Sequence, residues 1–285
     1  MKITCWGVRG TVPVAGRDFV KYGGDTTCLQ IASGQDDTTL IIDAGTGIRR
    51  LGNHLFRRSQ RRCHMLFTHA HWDHIMGLPY FRPLWFTDFH LTLHHCSFHE
   101  PFVGQLLAKL FSPPFFPVPH TNLNARIDYV EHDGQPFEIG PIRITPIPLS
   151  HPDGGSGYQF ADGKKTIVFL TDNELKTKHP GGFDFDGYVQ VCAGADLLIH
   201  DAEFTQTEYN KVRGWGHSRY NDAVKLAIAA GVKQLGLFHL NQDRTDQQMD
   251  YLVEKSNEMV ARAGVGLKCF AMAVNQSFLM GSSPD

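Results

Sequence analysis

The amino-acid sequence predicts a layered α/β fold, on two observations. Short apolar runs of strand length end, one after another, in His or Asp: residues 39–43 (TLIID), 65–68 running into His69, 166–171 into Asp172, 196–200 into Asp201 and 234–238 into His239. Segments with helical periodicity alternate with them. In layered α/β proteins, binding and catalytic groups gather in the loops beyond one set of strand ends, so the repeated His/Asp endings mark a single functional edge.

The elements follow in chain order. Residues 46–55 come after a tight Ala-Gly-Thr-Gly turn and place Ile48, Leu51 and Leu55 on one face, which predicts a helix. Gly45 and Gly47 serve that turn; no Lys-Ser/Thr follows, so they are not a phosphate loop. The stretch 111–119 (FSPPFFPVP) is excluded from a regular helix or central strand by its prolines. It reads as a stiff aromatic loop inside an irregular insertion spanning about residues 91–126. Residues 218–230 carry Ala223, Leu226, Ala227 and Ala230 at helical spacing, with Gly231 suited to the position after the helix. Thr245-x-x-Gln248 is a capping box opening a helix with Met249, Leu252, Val253, Met259 and Val260 inward, closed by Gly264. With no internal repeat, long linker or low-complexity segment, residues 1–285 read as a single domain.

Composition bounds the function. The chain has 285 residues, 42% apolar and 20% charged, enough for a sizeable core and far from a disordered composition. Its 27 basic and 29 acidic side chains leave a net charge of −2, so no global basic field draws it to nucleic acid or an acidic membrane. No apolar run approaches the ~18 residues of a membrane span, and the first residues carry no secretory pattern. The six cysteines form no C-x-x-C pair and read as reduced, buried thiols, which predicts a cytoplasmic protein.

The 16 histidines are the compositional outlier, and His69-Ala-His71-Trp-Asp73-His74 is the strongest signal among them. Residues i and i+2 on an extended segment point the same way, so His69 and His71 can share one metal ion. Asp73 and His74 follow on a turn and can reach a second. Two ions roughly 3.5–4 Å apart form a clamp for hydrolytic displacement. The remaining ligand candidates stand at strand ends: His151, Asp172 and His239.

This H-x-H-x-D-H string, followed in order by His151, Asp172 and His239, resembles the dinuclear branch of the metallo-β-lactamase fold superfamily over nearly the whole chain. The resemblance implies an αββα sandwich with the metals at one edge of the paired sheets. It implies His69, His71 and His151 on one ion, Asp73, His74 and His239 on the other, and Asp172 bridging. His200-Asp201-Ala202-Glu203-Phe204 and Gly216-His217-Ser218 resemble the H-E-A-T and H-S-T motifs of transfer-RNA 3′-processing endonucleases and related phosphodiesterases. Here Asp201 stands where those endonucleases have Glu. The openings 6–13 (WGVRGTVP) and 22–28 (YGGDTTC) resemble bacterial phosphodiesterase-like members, some of whose relatives degrade cyclic nucleotides.

The resulting expectation is a dinuclear metal-dependent phosphodiesterase acting on a cyclic nucleotide or another small nucleotide phosphodiester. Asp73, Asp201 and His217 are its catalytic residues, with His217, oriented by Asp201, protonating the leaving alkoxide. The two divalent ions are Zn2+, with Mn2+, Fe2+ or Co2+ as alternatives for an all-N/O ligand set. A transfer-RNA 3′-processing-type endonuclease and a non-catalytic metal-binding sensing module are the alternative functions. The expected partner is a small-molecule phosphodiester, with no membrane, and the chain is expected as a homodimer. Phe115 and Phe116 are read as stacking on a nucleobase or forming a dimer contact. Asp43 is read as supporting the site, and Arg9 as meeting a phosphate or bracing a loop. Arg49, Arg50, Arg57, Arg58, Arg61 and Arg62 are read as a solvated helix face, and His94, His95 and His99 as surface or insertion histidines.

Overall fold

The computed structural model describes residues 1–96, 103–163 and 165–279. The strands are β1 (Lys2–Gly7), β2 (Cys28–Ala32), β3 (Thr39–Ile42), β4 (Arg62–Leu66), β5 (His90–Cys96), β6 (Arg126–His132), β7 (Phe137–Ile139), β8 (Ile142–Pro148), β9 (Ser156–Ala161), β10 (Thr166–Leu170), β11 (Leu197–Asp201), β12 (Gln234–Phe238), β13 (Lys268–Ala271) and β14 (Ser277–Leu279). They form two seven-stranded sheets, ordered β14-β1-β2-β3-β4-β5-β6 and β13-β12-β11-β10-β9-β8-β7. The helices are α1 (Ile48–Arg57), α2 (Trp72–Ile75), α3 (Val103–Leu110), α4 (Phe185–Cys192), α5 (Gln206–Val212), α6 (Tyr220–Ala229) and α7 (Asp246–Ala263). This is the αββα sandwich the resemblance implied.

Each sheet starts with antiparallel pairs and continues through three parallel ones: β3-β4-β5-β6 in the first and β10-β11-β12-β13 in the second. Parallel strands are covered on both faces, and alternation along β3 shows how. Leu40 and Ile42 point into the core between the sheets, while Ile41 joins the layer under Ile48, Leu51 and Leu55 of α1. On the other outer face Ala223, Leu226 and Ala227 of α6 and Met249 and Leu252 of α7 extend the central core.

Helix boundaries depart from the periodic reading where polar groups have other partners. The α1 segment begins at Ile48 rather than at Thr46, because Thr46 exchanges hydrogen bonds with Thr26 through both its amide and its hydroxyl. The α6 segment begins at Tyr220 rather than 218, because the Ser218 hydroxyl donates to the Asn173 carbonyl at 2.6 Å. The capping box before α7 makes both expected bonds, and Gly264 closes that helix with φ +66°.

The expectation of an irregular insertion from about residue 91 is corrected: it opens on β5, an interior strand paired with β4 and β6. His94 and His95 are therefore buried strand residues, not surface ones, while His99 lies outside the described residues. Their polarity hid the strand. The rings of His64, His94 and His132, on three adjacent strands, satisfy one another through N···N hydrogen bonds of 3.0 and 2.9 Å, and Phe137 of the opposite sheet stacks on His132. The six arginines sit at the surface as expected; Arg50 pairs with Asp25 and Arg61 with Asp88. All six cysteines are free and buried. Among the described residues, no helix is long and apolar enough to cross a membrane.

Burial, with His64 and His132 alongside, pushes the His94 imidazole down to about 3. In the unfolded chain it titrates near ~6.5, so the native state binds fewer protons below that value. The stability it contributes is complete above about pH 6.5 and drains away as the pH falls toward 3. Urea midpoints at pH 7 and pH 5 should therefore fall more steeply for the native chain than for His94→Leu; equal slopes would show that the ladder does not carry this proton linkage.

Candidate metal centre

The site is built on strand ends. The chain leaves β3 at Asp43, β10 at Asp172 and β12 at His239, and each of these three residues takes a left-handed backbone, with φ of +62°, +50° and +54°. Positive φ is sparsely used by residues with side chains and concentrates at functional sites. With it each polar side chain meets the cluster: Asp43 meets His74, Asp172 meets His74 and His239, and His239 also meets Asp73. His69 and His71 lie on the extended run after β4, and Asp73 and His74 on the single turn α2.

The structure brings all seven expected ligand candidates into two adjoining groups. His69, His71, His151 and Asp172 form one, and Asp73, His74 and His239 the other, with donor atoms in each group within 4.8 Å of one another. Asp172 stands between them. Its Oδ2 faces His69 Nε2 at 3.5 Å and His151 Nε2 at 4.0 Å, and its Oδ1 faces His74 Nε2 and His239 Nε2 at 3.3 Å each. Asp73 Oδ2 lies 3.3 Å from His74 Nε2 and 3.2 Å from His239 Nε2.

Cations fit this cluster. The Nε2 atoms of His69, His74 and His151 are buried and satisfied by no hydrogen bond, which is costly for a polar group without a partner. Burial and the neighbouring His74 ring hold His69 well below the usual histidine range; burial pushes His151 down to about 3, against the pull of Asp172. Although burial opposes it, the surrounding imidazoles keep the Asp172 and Asp73 carboxyls well below the usual carboxylate range. Neutral imidazoles and ionised carboxylates are the donor state a divalent ion requires. His74 and His239 are lifted well above the usual range because the carboxylates around them outweigh burial, so an incoming cation there competes with protons.

Outer partners fix the rings. Asp43 accepts from His74 Nδ1 at 2.8 Å and from the Thr68 amide and hydroxyl, so it supports the site as expected. Glu203 accepts from His239 Nδ1 at 3.0 Å and from Asn241. The Thr11 amide donates to Asp73 Oδ2 at 2.8 Å. Gly10 lets that loop pass the metal edge, since a Cβ there would lie 2.2 Å from the His239 ring. Arg9 is a brace: fully buried, it donates to the carbonyls of Gly23, Asn241 and Arg244.

His217 is placed at the rim. Its Nδ1 donates to Asp201 Oδ2 at 2.8 Å and lies 3.4 Å from Glu203. Burial lowers its affinity for a proton, but Glu203 and Asp201 outweigh that and raise it to about 9. Asp172, Asp201, His217 and His239 also form a donor group of their own, yet the Asp201 bond occupies Nδ1 and leaves Nε2 as the available atom. A cavity of about 500 Å3 opens over the cluster, bordered by His217 and by Trp72, Phe204 and Trp215. Trp72 and Trp215 are more than half exposed. Phe115 and Phe116 do not line it: Phe116 packs against Tyr80, Trp85 and Phe111, so the aromatic walls of this cavity are others than those expected.

In the sequence Glu203 has one signal, its spacing of two from Asp201 at a strand end. The backbone contact from Thr11 has none.

Fold and site together define the class, a protein of the metallo-β-lactamase fold with a His/Asp cluster suited to a dinuclear metal centre. The beta-lactamase superfamily domain matches residues 38–240, and the chain belongs to that family. It is 23% identical to the Ribonuclease Z of Haloarcula marismortui, covering 90% of this chain and 91% of that one. It is 27% identical to the Ribonuclease Z of a Bradyrhizobium species, covering 74% of this chain and 82% of the relative. Among solved structures, the metallo-beta-lactamase fold protein YhfI from Bacillus subtilis superposes with a TM-score of 0.72 at 20% identity, covering 97% and 98% of the two chains.

Because Asp43 holds the His74 ring through its far nitrogen, Asp43→Ala should weaken divalent-metal binding by about 10- to 100-fold, the usual cost of removing such a support. Competition against a calibrated chelator measures it, and an unchanged constant would show that the bond does not tune the ligand.

Proposed function

We propose that this chain is a dinuclear metal-dependent phosphodiesterase whose substrate is a nucleotide phosphodiester. One observation carries the reading: His217, anchored by Asp201 on the rim of the His/Asp cluster, borders the same cavity as Asp73, Asp172 and His239. The residues that would hold one ion are His69, His71 and His151, those for the other Asp73, His74 and His239, with Asp172 between them. When bound, the pair supplies Lewis acidity that activates water and neutralises charge on the phosphoryl oxygens.

The chain's own residues do the rest. Asp201 fixes the His217 tautomer through Nδ1, so the proton available to a leaving oxygen sits on Nε2. Glu203 strengthens the positive charge of that ring and at the same time holds His239. Trp72, Phe204 and Trp215 offer apolar walls against which a nucleobase can pack.

For the substrate, the curated relatives support RNA rather than the cyclic nucleotide first expected, since they are named Ribonuclease Z. An RNA phosphodiester is therefore the first substrate we propose. A small nucleotide diester is the second, favoured by a cavity of about 500 Å3, within the roughly 300–1,000 Å3 of small-molecule sites, and by a net charge of −2. Turnover on precursor transfer RNA, cyclic mononucleotides and cyclic dinucleotides separates the two, and RNA affinity that falls steeply with salt would accompany the first.

Elemental analysis after metal reconstitution should give about two ions per chain, since seven candidates of ligand type exceed one tetrahedral site; saturation at one would refute the dinuclear assignment. His217→Ala should keep both ions and lose about 10²–10⁴-fold in turnover on a diester with an alkoxide leaving group. The loss should shrink on a nitrophenyl ester, whose leaving group departs without a proton. Equal losses on the two esters would rule out the acid role.

A further inference from the structure

Glu174 lies two residues beyond Asp172 and is 1% exposed, yet nothing in the cluster requires it. Its two carboxylate oxygens are fully engaged. Oε1 accepts from the Tyr209 hydroxyl and from the Gly214 amide at 2.9 Å; Oε2 accepts from the Gly216 amide at 2.9 Å and from His179 Nε2 at 2.8 Å. Both glycine amides flank Trp215, in the loop that delivers His217. The Glu174 amide in turn donates to the Ser150 carbonyl, next to His151.

Four donors on one buried carboxylate are more than charge neutralisation needs, and two of them come from the backbone of a single loop. Beside these two bonds the loop is held by the Trp215 amide on the Val212 carbonyl at 3.1 Å and by Arg213 Nε on the Thr177 hydroxyl at 3.3 Å, while the Arg213 and Trp215 side chains are exposed. Gly216 is pressed against the cluster, with φ +93°, where a Cβ would lie 2.2 Å from the His151 ring. Asp201 fixes the ring nitrogen of His217 through Oδ2 and the following Ser218 amide through Oδ1 at 3.2 Å, whereas the chain before His217 is tied to Glu174 through the Gly214 and Gly216 amides. We propose that Glu174 is a positioning residue for the reaction, fixing the 212–217 loop so that His217 Nε2 meets the leaving oxygen. The proposal rests on the reading of His217 as proton donor.

The test uses the metal-replete protein and two thymidine diesters. Thymidine 5′-(4-nitrophenyl) phosphate releases a group that needs no proton; the thymidylyl dinucleotide releases an alkoxide that does. Glu174→Ala should retain its metal, lose roughly 10²-fold on the dinucleotide and much less on the nitrophenyl ester. Combined with His217→Ala it should add no further loss, because the two substitutions remove one function. Trypsin should cut after Arg213 roughly tenfold faster or more in Glu174→Ala, as expected when bonds to a charged acceptor are lost. Tyr209→Phe removes one donor and leaves the carboxylate in place; it should shift both readouts the same way by less, and it serves if Glu174→Ala does not fold. Equal losses on the two esters for these variants, or losses that multiply with that of His217→Ala, overturn the proposal. If His217→Ala alone fails to discriminate the esters, the acid reading falls and this proposal with it. If His217→Ala discriminates and Glu174→Ala does not, only the positioning role falls.

Discussion

The carboxylate of Asp172 is enclosed between the two sheets and faces imidazoles from both of its oxygens. A buried charge without partners costs many kcal/mol, so its surroundings must supply opposite charge or hydrogen bonds. Rings converge on it from separate segments, His69 and His74 after β4, His151 after β8 and His239 after β12, and the neighbouring Thr171 hydroxyl donates to Oδ1 at 2.7 Å. Two of these rings, His74 and His239, have their other nitrogens held by Asp43 and Glu203. The carboxylate–imidazole–carboxylate chain thus reaches from the centre of the site into the cores of both sheets.

The sandwich makes that convergence geometrically cheap. Both sheets contribute parallel strands, and parallel strands end on one edge with their apolar residues covered on both faces. Asp43 comes from one sheet, Asp172, Asp201 and His239 from the other. The left-handed backbone at Asp43, Asp172 and His239 is the local cost of turning side chains inward at those ends. It is tolerated because each side chain, once turned, gains a hydrogen bond or an ion pair that fixes it.

The same edge holds a second layer outside the cluster. His217 is fixed through Asp201 at one nitrogen, while the loop that carries it is tied to Glu174 and bears the exposed Trp215 on the cavity wall. The ligand-type residues sit at strand ends, on the extended run after β4 and on the turn α2; the cavity over them is bordered by Trp72 of that same turn and by Phe204, Trp215 and His217 from loops. Rigid elements hold the cluster, and loops shape what reaches it.

The sequence by itself determined the elements whose signals are local. Apolar runs closed by His69, Asp172 or His239 marked strand ends, the capping box at Thr245 marked α7, and the His-Ala-His-Trp-Asp-His string held four ligand candidates within six residues. Only the tertiary structure decided the rest. The interior strand β5 was hidden because His94 stands where an apolar residue would announce burial, and its satisfaction comes from His64 and His132 on neighbouring strands. The roles of Glu203 and Glu174 came from donors folded toward them, His239 36 residues away for Glu203 and the Gly214 and Gly216 amides 40 and 42 residues away for Glu174. A carboxylate's role is set by which donors surround it in space, and no spacing along the chain encodes donors that fold toward it from another element.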